Sequence, residues 1–330
     1  MEFTSVQPSA VLVSVVWHRT GSLWPGSDVE TKESYVDLKR LVAPGLAVLM
    51  LAGTMAFAGC SAEEEPVAQG EPAAEGATEE LDGSITVQGS DTLLNVATAW
   101  SDAFMDANPS VDISVQGGGS GTGIAALING TVDFANASRG IKDEEVTEAE
   151  GKGMEIVEHS VAIDGIAVVV NPANGVSELS LDDLGKIFRG EVTNWKDVGG
   201  IDAEIVLLSR DSSSGTYEFF KEAVVGEDFE YAASAKLLPS NQAIADEVKA
   251  NEAGIGYIGL GYLTPDVKVV AIDGVEASIE TAADGSYPIS RYLYMYSDGE
   301  PEGVMAAYLD WILGAEGQQL VEDEGFVPLP

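Results

Sequence analysis

Three times this chain passes from a short apolar run, through a turn of glycine, serine and threonine, into a stretch with helical spacing. Each such unit sets a strand end, a tight turn and a helix start in succession, and a series of them builds an α/β layer structure. In the first, Ile85 and Val87 mark the strand and Gly89-Ser90-Asp91-Thr92-Leu93 the turn. Leu93, Val96, Ala97, Trp100 and Phe104 then form one apolar helix face, ended by Asn108-Pro109. Val111, Ile113 and Val115 alternate as the second strand, followed by the Gly117–Gly123 run and the helical stretch IAALING. In the third, EIVLLS (204–209) leads through Arg210-Asp211-Ser212-Ser213-Ser214-Gly215-Thr216 into TYEFFKEAVVG. VDFAN, GIAVVV (165–170) and YLYMYS (292–297) read as further strands, with LDDLGKIFRG and AIADEVKANEAG as helices between them. The alternation predicts an α/β protein with parallel sheets and no repeat of solenoid length.

A helix start leaves N–H groups unbonded and carries a partial positive charge, so each of the three turns is a candidate anion seat. Glycines let backbone approach a ligand closely, and hydroxyls add short neutral hydrogen bonds. Any one turn alone is explained as well by capping, in which Ser, Thr and Asp serve the helix. Three together, one beside Arg210, point to a small multivalent oxyanion. Other glycine-loop chemistries fit poorly. The Gly117–Gly123 run has no lysine, so it is not a P-loop. Gly254-x-Gly256-x-x-Gly259 has dinucleotide-loop spacing, yet it follows a helical stretch and precedes Gly261 and Pro265, so a closely packed turn and strand is expected there. No G-x-S-x-G elbow surrounds Ser120 or Ser214. The sequons at Asn129 and Asn136 are formal matches only.

Composition removes other classes. Sixteen basic against 55 acidic residues give a formal charge of −39 in a chain of 330. A phosphate-backbone surface needs clustered Lys and Arg, so nucleic acid is not an expected partner, nor is attachment to anionic lipid by charge. One cysteine excludes an internal disulfide or a Cys-based zinc site. Two histidines, His18 and His159, disfavour a His-ligated metal or a Ser-His-Asp enzyme. Neither metal, cofactor nor catalysis is expected. The length leaves room for two domains, each with its own core.

The N-terminal region carries an address. Lys39 and Arg40 precede the apolar stretch Leu41–Gly59, which ends at Cys60. Two positive charges, an apolar segment and small residues before a cleavage point describe an export signal. Phe57-Ala58-Gly59-Cys60 resembles the lipobox of bacterial lipoproteins, with Phe57 in place of the usual Leu or Val. Residues 36–59 are therefore expected to be a signal peptide and Cys60 a lipidated N-terminus, whose two chains suffice for stable anchoring. Residues 1–35 form a polar leader, consistent with a true start near Val36. Residues 60–83, rich in Glu, Ala, Pro and Gly without periodicity, read as an acidic flexible tether.

GSDTL (89–93), GGGSGTGI (117–124), NASR (136–139), DGIAVVVNP (164–172), DDLGKIFRGEVTNWKDVGG (182–200) and R-x-x-x-S-G-T (210–216) together resemble the phosphate-binding proteins. These are the substrate-binding subunits of high-affinity phosphate ABC importers. The resemblance spans 84–330, with the motifs in family order. It implies a two-lobed periplasmic-binding-protein-like fold of type II, with mixed sheets flanked by helices and the ligand in the inter-lobe cleft. Lobe one would comprise 84–163 plus 288–330, and lobe two 164–287. The crossings would fall near Asp164–Gly165 and Tyr287–Arg291.

The resemblance also implies ligand contacts. Thr92 and Leu93 match the first-helix pair, Ser120 the second turn, Ser138 the NASR segment, Arg210 the anion-pairing arginine, and Ser214, Gly215 and Thr216 the third turn. Some relatives carry an aspartate after the Ala-Ser of 137–138 to accept the proton of hydrogen phosphate, whereas this chain has Arg139, a second candidate contact. A carboxylate only accepts hydrogen bonds, so it favours a protonated anion over sulfate; Asp164 is the expected replacement. The implied function is capture of inorganic phosphate outside the cytoplasm and delivery to importer permease subunits, by a monomer held to the outer face of the membrane through Cys60. Alternatives are a binder of another tetrahedral oxyanion (sulfate, molybdate), a non-transport phosphate-sensing lipoprotein, and, least in keeping with the paucity of histidine, a phosphohydrolase.

Overall fold

The computed structural model describes residues 81–330; the expected leader, signal peptide and Cys60, and the tether up to residue 80, lie outside them. The first half of the described chain runs β1 (Gly83–Gly89), α1 (Leu94–Ala107), β2 (Val111–Gln116), α2 (Ser120–Ile128), β3 (Phe134–Ala137), α3 (Asp143–Gly151) and β4 (Ile156–Val170). Then follow β5 (Glu178–Leu179), α4 (Leu181–Phe188), β6 (Val206–Arg210), α5 (Gly215–Phe220), β7 (Lys236–Leu238), α6 (Asn241–Ala250), β8 (Gly254–Gly259), β9 (Lys268–Val269) and β10 (Ala271–Ile272). The chain ends with α7 (Ile279–Ala283), β11 (Ser290–Asp298), α8 (Gly303–Leu313) and α9 (Ala315–Asp323).

The main sheet has the order β2-β1-β3-β11-β4-β8-β6-β7, with β9 also paired to β4. β1 pairs in parallel with β2 and β3, and β6 with β7 and β8. The sheet is nevertheless mixed, because β11 runs antiparallel to β3 and β4, and β8 antiparallel to β4. The parallel reading taken from the alternation alone therefore needs this correction; the mixed sheets implied by the resemblance are observed. β4 is the element common to both halves: Ile156–Gly165 pair with β11, and from Ile166 onward the partner is β8. Its residues Val161–Val170 are all buried, which explains the unbroken apolar run of a strand covered on both faces.

Strand alternation sends β3 side chains to two cores. Phe134 joins the main core with Leu93, Val96 and Trp100, while Ala135 and Ala137 face Ile124, Leu127 and Tyr296 in a smaller one. Phe104 meets Tyr308 and Trp311 edge-on, tying α1 to α8, and Trp100 Nε1 donates to the Gly317 carbonyl at 2.8 Å. In the other half, Phe220 stacks on Tyr257 with ring centres 3.9 Å apart. TYEFFKEAVVG, read as one helix, is α5 followed by a π-helical turn over Lys221–Val225. The glycine-spaced segment 254–259 is strand β8, as its flanks suggested. Among the described residues no helix is long and apolar enough to cross a membrane.

Candidate anion site

The three Gly/Ser/Thr turns follow the C-terminal ends of β1, β2 and β6, and the first and third meet directly. Thr92 Oγ1 lies 2.9 Å from Thr216 Oγ1, both buried. Ser120, at the start of α2, accepts from the Ser138 backbone N–H at 3.0 Å, and its hydroxyl lies 3.3 Å from that of Ser138. Gly215 is tucked beneath this pair: a Cβ there would stand 2.3 Å from Ser120 Oγ and 2.8 Å from Ser138 Oγ. Gly119, with φ +91°, likewise has no room for a side chain, because Ser213 O would lie 2.5 Å from its Cβ. Thr92, Ser120, Ser138, Gly215 and Thr216 are thus gathered around one buried seam.

Further contacts close the seam. Gly121 N–H donates to Ser213 O at 3.0 Å, and Tyr262 Oη to the Asp91 carbonyl at 2.5 Å; the Ser213 hydroxyl stays within its own turn, donating to Asp211 Oδ1 at 2.6 Å. Lys142, capping α3, pairs with Glu218 of α5 at 3.1 Å.

Three arginines reach this region, each matched by one carboxylate. Arg210 Nη2 bonds Asp91 at 2.8 Å and the Pro239 carbonyl at 2.9 Å, while its Nε and Nη1 are buried without a protein partner. Arg139 forms a two-point contact with Glu145 of α3 at 2.8 and 2.7 Å, and its buried Nε is also unpartnered. Glu145 lies only six positions on from Arg139, in the same half of the chain. Burial would raise the Glu145 carboxyl, but Arg139 and the Lys142 amide outweigh it and hold the group below its ordinary value.

The third arginine, Arg291, was missed at the sequence level. It is fully enclosed on β11, with Nη1 donating to Ser138 O at 2.7 Å and Nη2 to Thr216 Oγ1 and Asp164 Oδ2 at 2.9 Å each. A basic residue inside the apolar run Ile289–Ser297 is the signal that could have revealed it, because a buried charge requires partners. Asp164 is completely buried; its Oδ1 accepts from the Leu260 N–H at 3.0 Å. Burial pushes the Asp164 carboxyl up, and the Arg291 guanidinium opposes that rise.

Hydroxyl bookkeeping follows from these contacts. Arginine only donates, so Thr216 Oγ1 accepts from Arg291. One threonine proton makes the Thr92–Thr216 bond, and the other has no acceptor among the described residues. Together with the unpartnered nitrogens of Arg210 and Arg139, the region offers donors suited to an oxyanion. Two expected contacts serve the fold as well. Ser214 Oγ caps α5, accepting from Tyr217 N–H at 3.4 Å, and Leu93 packs its side chain in the main core beside the start of α1. His159, away from these contacts, bonds Ser297 Oγ through Nε2 at 2.9 Å.

Comparison with known proteins agrees with this chemistry. Residues 68–316 match the family model of the PBP superfamily domain. The chain is 36% identical over 287 residues to the phosphate-binding protein PstS of Bacillus subtilis, covering 86% of this chain and 93% of that protein. It is 32% identical over 316 residues to PstS of Pseudomonas aeruginosa, covering 89% and 95%. Among solved structures, a phosphate ABC transporter substrate-binding protein with bound phosphate from Clostridium perfringens superposes with a TM-score of 0.71 at 33% identity, covering 75% of this chain and all of that one. An ABC-type phosphate transport receptor from Vibrio cholerae gives 0.63 at 26% identity, with coverage of 75% and 100%.

Proposed function

This chain belongs to the PstS family of phosphate-binding proteins within the PBP superfamily, and from that membership we propose that it captures inorganic phosphate and delivers it to the membrane subunits of an ABC importer. The observation that carries the reading is the buried Arg210 guanidinium, whose Nε and Nη1 have no protein partner at a seam rich in hydroxyls. Unpartnered guanidinium N–H groups make charge-assisted hydrogen bonds to the oxygens of an anion, and the remaining oxygens suit neutral hydroxyl and amide donors. Thr92, Leu93, Ser120, Ser138, Arg139, Asp164, Arg210, Ser214, Gly215 and Thr216 are the proposed contacts, with Asp164 as the acceptor for the proton of hydrogen phosphate. The function is capture and release without bond-breaking.

Residues 84–163 plus 288–330 would act as one lobe and 164–287 as the other, hinged where β4 changes partner and where the chain returns into β11. Anion bound by one lobe recruits donors of the second, and closure removes water and strengthens each hydrogen bond. The energy for closure is the ligand's preference for the closed form. The lipobox-like tetrad ending at Cys60 and the acidic stretch after it support a monomer tethered to the outer face of the cell membrane. Calorimetric titration of the protein with phosphate, sulfate and molybdate tests the reading. Tight binding of phosphate in preference to the other two is expected, and preference for sulfate or molybdate would overturn it.

A further inference from the structure

We propose that Arg291, without touching the anion, sets the site's preference for phosphate over sulfate by holding Asp164 as a carboxylate acceptor toward the ligand. The inference rests on the phosphate reading above and on Asp164 reaching the anion.

Arg291 bonds Asp164, Ser138, Thr92 and Thr216. Its Nε and Nη2 both reach Asp164 Oδ2, at 3.3 and 2.9 Å, and Nη2 also meets Thr216 Oγ1 at 2.9 Å and Thr92 Oγ1 at 3.5 Å. Nη1 bonds the Ser138 carbonyl at 2.7 Å, and the guanidinium lies over the Phe219 ring, 5.5 Å from its centre. All three of its nitrogens have protein acceptors, in contrast to those of Arg210 and Arg139. Its Nε and Nη2 are taken up by Asp164 and the threonine pair and Nη1 holds the Ser138 carbonyl, so its role is to position other groups.

What it positions is Asp164. Arg291 fills Oδ2, and the Leu260 N–H takes one lone pair of Oδ1, so the remaining acceptor capacity is on Oδ1. A Cβ added at Gly259 would be 3.1 Å from either Asp164 oxygen and 3.2 Å from Thr92 Cγ2, so the carboxylate and the threonine methyl flank the same point of β8. The acceptor thus borders the threonine pair.

A carboxylate completely removed from water becomes protonated unless a cation faces it. The groups facing Asp164 are Arg291 from β11, Tyr262 from the turn after β8 and Tyr287 ahead of β11, with Arg210 acting in turn on Arg291. Burial pushes both phenols up, so they remain neutral, and Arg291 is left as the facing cation. A protonated Asp164 would donate, and would welcome sulfate and phosphate alike. An ionised one accepts from hydrogen phosphate and repels sulfate, which has no proton to give.

The test uses the full-length protein, its D164N, R291K and R291Q variants, and the D164N/R291Q double variant, each titrated by calorimetry with inorganic phosphate and with sulfate, over a pH series spanning neutrality. D164N and R291Q are both expected to lower the phosphate-to-sulfate affinity ratio by roughly tenfold or more. R291K, which keeps the charge without the fork, should fall between wild type and R291Q. As pH is lowered, R291Q should lose its ratio at a higher pH than wild type, because nothing then opposes the burial of Asp164. The double variant should match D164N, since Arg291 acts through that carboxylate. An R291Q protein that binds both anions more weakly with the wild-type ratio would overturn the proposal, as would a double variant well below D164N. Should R291Q fail to fold, the same criteria apply to R291K and to the double variant, which leaves no lone buried carboxylate. Wild-type protein that binds no phosphate would overturn the phosphate reading and this inference with it; a D164N variant with an unchanged ratio would overturn this inference alone.

Discussion

Gly215 lies so close beneath Ser120 that a Cβ on the glycine would stand 2.3 Å from the serine hydroxyl oxygen. The contact presses the start of α5 onto the start of α2, joining segments far apart in the chain. An added methyl at Gly215 must push this seam open, and overpacking of that kind costs about 1–3 kcal/mol. Gly215→Ala is expected to weaken phosphate binding by roughly five- to hundredfold. Ligand-free thermal stability should fall less, because the halves can part. Calorimetry and thermal unfolding of the same variant check both statements.

Arg210 gives one amino group to Asp91 and leaves two donors without protein partners. A lysine cannot serve a carboxylate and two anion oxygens with the same planar geometry. Arg210→Lys should therefore raise the phosphate Kd by roughly tenfold to hundredfold, the worth of one or two charged hydrogen bonds. An unchanged Kd would remove Arg210 from the binding set.

A chain of formal charge −39 repels a divalent anion at long range. Added salt screens that field beyond about 8 Å at physiological ionic strength, while the donors within the seam act at contact distance. Phosphate association measured by stopped flow should accordingly speed up as salt rises. A flat or falling rate would mean that a local positive potential already governs capture.

Burial holds the His159 imidazole below the ordinary histidine value of about 6.5. The folded protein thus favours the neutral ring, and on acidification the unfolded chain takes up its proton first. The stability contribution is complete above about 6.5 and is lost as pH falls from there toward the lower folded value. Denaturant titrations across this range should show His159→Gln with a flatter pH dependence than the parent. Equal slopes would show that the ring does not contribute.

The proposed lipidation of Cys60 predicts that Cys60→Ser moves the protein from the membrane fraction to the soluble fraction of the producing cells, and that incorporation of a labelled fatty acid is abolished. Two acyl chains make the difference between stable anchoring and none, so the shift should be nearly complete.

The strand-turn-helix units were legible in the sequence because their signals are local. Val111, Ile113 and Val115 alternate within one strand, Leu93 to Phe104 repeat within one helix, and the glycines between them admit backbone geometries and approaches that other residues resist. The same windows placed Thr92, Ser120, Arg210 and Thr216 at turns, and the expectation of anion chemistry was drawn from them. The direction of β11 was not legible, since an apolar run such as YLYMYS carries no mark of parallel or antiparallel pairing.

The matching of charges was decided only in the tertiary structure. Arg210 meets Asp91 across 119 positions and Arg291 meets Asp164 across 127, so neither pair leaves a spacing that a sequence window can detect. Those meetings depend on where β11 and β4 lie side by side and on how closely Gly119 and Gly215 let the seam close. Local residue types set which hydrogen bonds and charges were on offer; burial, by removing water, decided which of them had to find each other, as Arg291 and Asp164 do.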